Sequence, residues 1–138
     1  MAQWRFAGPV RVRGGPCRPS GIALAAQVSN LGLAYIMGQG VPQNDAMALK
    51  LFSLAAESGD GGARSNLGNM YAFGKGVEQD YVQALMWFNL AAYAFEASNE
   101  RDMTVREMND KNRELAASLL TPAQIAEAEK LALERKPK

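Results

Sequence analysis

Apolar and polar positions alternate along this chain on two scales. On the short scale, apolar residues fall three, four and seven apart, the spacing of one face of an α-helix. Leu67 and Tyr71 stand four apart, and Ala84, Phe88, Ala91 and Ala92 continue at helical spacing. On the long scale the pattern returns after 36 residues. Asn66, Leu67, Gly68, Tyr71, Gly74, Gly76 and Val77 repeat Asn30, Leu31, Gly32, Tyr35, Gly38, Gly40 and Val41. Further on, Gln79, Ala84, Leu85, Phe88, Leu90, Ala91 and Ala92 repeat Gln43, Ala48, Leu49, Phe52, Leu54, Ala55 and Ala56. Periods of this length belong to stacked helical units, each of which buries its apolar face only against its neighbours.

Start and stop signals divide each unit into two helices. The first pair is predicted over about 22–37 and 45–58, with Ser20 as a cap, a Gly38-Gln39-Gly40 turn between the helices, and Asn44 leading into the second. Gly59 then ends one helix and Asp60 caps the next, which runs to Phe73. Gly74 supplies the left-handed cap at that end. Asp80 opens a helix over about 81–95, with Gln83 placed as in a capping box. Gly68 costs roughly 1 kcal/mol in a helix interior, so its recurrence with Gly32 implies a close approach of the next helix, with Ala84 at the facing position. Trp87 replaces Leu51 and is expected between units.

After Ala92 the identities stop. Ser98 or Asn99 can start a helix whose apolar stripe is Val105, Met108, Leu115 and Leu119, interrupted by Asn112. Thr121-Pro122-Ala123-Gln124 combines a cap, a proline at the first helical position and a glutamine that can close a capping box. Ile125, Ala128, Leu131 and Ala132 form the inward face of that last helix. An atypical pair of this kind closes the apolar end of a repeat stack.

Over about residues 28–92 the pattern resembles the Sel1-like repeat, a relative of the tetratricopeptide repeat, and residues 121–135 resemble the closing helix that often follows such repeats. The resemblance implies an all-α solenoid, an α-α superhelix. It would hold two helix-hairpin repeats, about 28–63 and 64–99, and a capping helix pair over about 99–136. The domain would span 20–138. Residues 1–19, with Pro9, Pro16, Pro19 and three glycines, read as a flexible leader that need not be native.

Chemistry is constrained by what is missing. The chain has no histidine and only Cys17, which removes His-based triads, His or multi-Cys metal sites, and an intrachain disulfide. There is no phosphate loop, and Gly74-Lys75-Gly76 is a hairpin turn rather than a dinucleotide loop. Some Sel1-like proteins have been linked to β-lactam binding or hydrolysis; those resemble one another through a cysteine pair in each repeat, which is absent here, as is Ser-x-x-Lys. Asp45, Glu78, Asp80 and Glu96 lie near helix ends, where capping and the helix dipole account for them. No catalytic residue, cofactor or metal is expected. The net charge of +1 gives no pull towards nucleic acid, although residues 1–44 carry four arginines and no acid. No stretch is long enough to span a membrane, and the short apolar run at 21–26 reads as a helix start. The compartment expected is cytoplasmic, with periplasmic or secreted as the alternative.

The function expected is a non-enzymatic adaptor that holds a protein or peptide. The alternatives are a periplasmic binder of cell-wall or sugar ligands and a β-lactam-interacting member of the family. In tetratricopeptide-like stacks the first helix of each pair lines the concave side. On this resemblance Ser29, Leu33, Ile36 and Met37, with Ser65, Asn69, Ala72 and Phe73, form one groove. Two readings stand side by side: an open apolar docking site, or a core face covered by the C-terminal helices or by a second copy in a homodimer.

Overall fold

A computed structural model of the chain describes residues 21–98 and 103–135. Six helices account for the order of elements: α1 (Gly21–Met37), α2 (Asp45–Glu57), α3 (Gly61–Phe73), α4 (Tyr81–Ser98), α5 (Met103–Ser118) and α6 (Pro122–Arg135). No strand occurs among the described residues. The fold is an all-α repeat solenoid. Helices α1 and α2 form one hairpin, α3 and α4 the next, and α5 and α6 pack back on α4. The predicted leader, the Ser20 cap and residues 99–102 lie outside the described residues.

Helix ends obey their local chemistry. The Asn44 side chain accepts from Met47 N at 3.1 Å and Asp60 accepts from Ala63 N at 2.9 Å, each satisfying an orphan donor. Gly74 adopts φ 73°, ψ 34° and donates its N–H to Met70 O at 2.8 Å. At Thr121 the capping box is complete: Gln124 N donates to Thr121 Oγ1 at 3.2 Å, and Thr121 N donates to Gln124 Oε1 at 2.9 Å. At Asp80 only half of it forms. Its carboxylate accepts from Val82 N and Gln83 N, but its own N–H is taken by Tyr71 O at 2.9 Å. The same loop closure occurs one repeat earlier, where Asn44 N donates to Tyr35 O at 3.0 Å.

Packing within each hairpin rests on a phenylalanine lying on a glycine. A Cβ added at Gly68 would fall 2.5 Å from Phe88 Cε1, and one at Gly32 would fall 2.9 Å from Phe52 Cε1. Both rings are fully buried. The close approach predicted at Gly68 is therefore real, but the facing group is the Phe88 ring, one helical turn beyond Ala84. A third contact of this kind, Gly61 under Phe95, has no counterpart in the first repeat, where Ala25 and Gly59 occupy those positions.

Between units, Leu33 and Ile36 of α1 join Phe52 and Ala55 of α2 and Leu67 and Met70 of α3 in one cluster. A second cluster ties Ala84, Leu85 and Phe88 of α4 to Ala116 of α5 and Ala128 of α6. Trp87 packs against the first cluster and also against the third, formed by Met86, Leu90 and Ala132, as expected of a residue between units. Tyr35 and Tyr71 are only half-buried, packed on the edges of these clusters.

Two boundaries differ from those predicted. Helix α4 continues to Ser98, so Ser98 closes α4 rather than starting α5. Helix α5 ends at Ser118, which leaves Leu119 in the turn and exposed, while Leu120 packs inward in its place.

Replacing Gly68 by Ala, which should favour a helix by about 1 kcal/mol, is expected to destabilise the protein by roughly 1–3 kcal/mol through the collision with Phe88. Thermal melts monitored by circular dichroism measure it, and Gly68→Ala should cost more than Gly32→Ala, where the contact is looser. Removing residues 121–138 should lower the melting temperature and promote aggregation, read by light scattering, because Leu85, Met86 and Leu90 lose their cover.

Candidate functional site

The eight residues of the predicted groove do not form one open surface. Ser29, Leu33 and Ile36 are buried on α1, and Ser65, Asn69 and Ala72 are buried on α3. Only Met37 and Phe73 stay exposed, at 53% and 40%. The open-groove reading is corrected to this pair. Leu33 and Ile36 are covered because α1 packs on α2 and α3, and Ala72 lies in the cluster built by α4, α5 and α6.

Asparagines on α5 seal the α3 side. Asn112 Nδ2 donates to Asn69 Oδ1 at 3.0 Å, with both residues buried. Asn109 Nδ2 donates to the carbonyl of Phe88 at 3.1 Å, which fixes α5 to α4 at the ring that rests on Gly68. Asn109 Oδ1 has no hydrogen-bond partner among the described residues. Asn112, an interruption when read along α5 alone, is the polar match for Asn69 across the interface. Sequence reasoning missed Asn109, which directly follows the stripe residue Met108 and carries no repeat signal.

Arg64 was missed as well. It is nearly buried and donates from Nε to Ala56 O at 3.2 Å and from a guanidinium nitrogen to Leu90 O at 3.0 Å. One side chain thus joins the end of α2 to the middle of α4 through helix α3. Burial pushes its pKa below the ordinary arginine value, and the nearby Asp60 charge partly counters that shift. Its counterpart in the first repeat is Val28, so the repeat pattern could not announce it.

The exposed rim is short and apolar. Met37 and Phe73 occupy equivalent positions 36 residues apart, at the C-terminal ends of α1 and α3. Lys75 Nζ lies 5.7 Å from the centroid of the Phe73 ring, a cation–π distance. A polar notch of about 150 Å³ lies between α4 and α5, lined by Glu96, Arg106, Asp110 and Arg113 together with Ala92 and Phe95. No group of three or more His, Cys, Asp or Glu residues that could hold a metal occurs among the described residues. No described helix is long and apolar enough to cross a membrane.

Two hairpins of one register, sealed by a closing pair, define an all-α repeat protein. The family model described as Sel1 repeat matches residues 29–60 and 62–94, close to the unit boundaries drawn from the 36-residue period. Among solved structures, the chain is similar to that of c5321, a protective antigen present in uropathogenic Escherichia coli strains and displaying an SLR fold. The two share 34% identity with a TM-score of 0.68, over 80% of this chain and 22% of that one. The chain thus spans about a fifth of that antigen's length. A comparison with curated proteins gave no match. The chain carries two Sel1 repeats and folds as an all-α repeat solenoid. Proteins of this fold are generally non-enzymatic interaction scaffolds.

Replacing Asn112 by Ala should cost about 1–3 kcal/mol, because it removes a buried donor from Asn69 Oδ1. Replacing both Asn69 and Asn112 by Leu should cost less than the sum of the single changes. A double-mutant cycle from urea unfolding measures the coupling.

Proposed function

We propose that the protein is a non-enzymatic scaffold that holds a protein or peptide against the rim formed by Met37 and Phe73. The observation that carries this reading is their exposure. Of the eight residues on the repeat-equivalent face, these two large apolar side chains remain at the surface after helix packing has buried the rest. They sit at the same end of adjacent helices, so one bound segment can touch both. Exposed large apolar side chains of this kind are the usual contacts of a docking site. Lys75, held over Phe73, adds a cation at the border and favours an acidic residue beside the partner's apolar anchor.

The test is the double change Met37→Glu with Phe73→Glu. Both side chains are exposed, so stability should stay within about 0.5 kcal/mol for each change. Proteins crosslinked to the wild type in the native host should then be lost from the variant. Unfolding of the variant would make the pair structural. Dissociation of a wild-type dimer, read by sedimentation, would make the rim a contact between copies.

A further inference from the structure

The two ends of the solenoid are finished differently. At the C-terminal end, α6 turns Glu127, Glu129, Lys130 and Glu134 to solvent, the polar outer face that the end of a repeat stack requires. At the N-terminal end the described residues offer no such face. From Pro19 to Asn44 the chain carries no charged residue. Helix α1 turns Ala25, Ser29, Leu33 and Ile36 inward. On its opposite side Leu24 and Leu31 are 53% and 46% exposed, with Gln27 exposed between them. The second repeat shows what such positions meet when a neighbour is present. Gln27 and Leu31 are the counterparts of Ala63 and Leu67 on α3, which are buried in one cluster with Phe52, Ala55 and Ala56 of the preceding helix. Leu31 thus stands at a stacking position, on the one repeat that has no described helix before it.

We propose that this end face is an interface between two copies of the chain, in which α1 of one copy lies antiparallel on α1 of the other. Three observations select a second copy as the occupant. A head-to-tail stack needs an apolar face at the far end, and α5 and α6 have closed that end with exposed charges, so the two N-terminal faces meet about a two-fold axis. A two-fold axis sets each residue near it beside its own copy, where a charge would be repelled by its like, and α1 carries none. A partner with a charged surface would instead leave those charges desolvated and unpaired against α1. The spacing is also self-complementary. With the axis between Gln27 and Val28, Leu24 of each copy faces Leu31 of the other, and the Gln27 amides, each both donor and acceptor, lie beside the axis. Met37 lies about 120° round α1 from Leu31, so this face is distinct from the rim of Met37 and Phe73, and either proposal can fail alone.

Sedimentation equilibrium of the full chain is the test, and a concentration-dependent dimer is expected. Leu24→Glu and Leu31→Glu should each weaken it about tenfold or more, as loss of a central apolar contact does. Both positions are exposed, and unchanged circular dichroism establishes that the variants fold. A charge-pairing arm reads the contact of α1 with α1. The chain carrying Leu24→Lys and Leu31→Lys, and the chain carrying Leu24→Glu and Leu31→Glu, should each be monomeric alone and form a one-to-one dimer when mixed. The Met37→Glu with Phe73→Glu variant should dimerise like the wild type. A monomeric wild type overturns the proposal, as does a dimer indifferent to both leucine changes or a mixed pair that stays apart. So does a dimer lost in the Met37→Glu with Phe73→Glu variant, because the rim is then the contact. A monomeric chain that dimerises once residues 1–20 are removed overturns it too, because that segment is then the occupant.

Discussion

The Phe88 ring resting on Gly68 sets the distance between α3 and α4, and the placement of both C-terminal helices hangs on that distance. The carbonyl of Phe88 receives Asn109, which anchors α5. Leu85, one helical turn earlier on α4, shares a cluster with Ala116 and Ala128, which places α5 and α6. A glycine in mid-helix is a local cost, and the burial of a whole aromatic ring, worth about 1.5–3 kcal/mol relative to exposure, offsets it. Gly32 under Phe52 repeats the device, so the same exchange of local propensity for tertiary contact spaces both hairpins.

Helix α3 is buried along its first ten residues, although it carries Arg64, Ser65, Asn66 and Asn69. A polar helix can sit at the centre of a small protein only if its side chains find partners there. Arg64 reaches two carbonyls on neighbouring helices, and Asn69 meets Asn112. These contacts are directional. They fix how α4 and α5 sit around α3 more narrowly than apolar packing would, and they turn a would-be groove into an interior.

What remains open for interaction is what no later helix reaches. The outer face of α4 is covered by α6, whereas at the same register of α2 Lys50 and Leu54 stay exposed. At the ends of α1 and α3, Met37 and Phe73 stay exposed.

The repeat length, the helix pairs and their caps were legible in the order of residues, because they depend on neighbours close in the chain: Asn44 on Met47, Asp60 on Ala63, Thr121 on Gln124. Legible too was that Gly68 faces something close, since nothing local rewards a glycine there. Packing in three dimensions was needed to show that the close neighbour is the Phe88 ring rather than Ala84, and that Asn112 completes an interface instead of breaking a stripe. It was needed again to place six of the eight groove residues in the interior. A helical wheel gives the face of one helix, whereas burial depends on which other helices arrive there. Those arrivals are set by pairs such as Asn69 and Asn112, 43 residues apart, a separation that the 36-residue period does not describe.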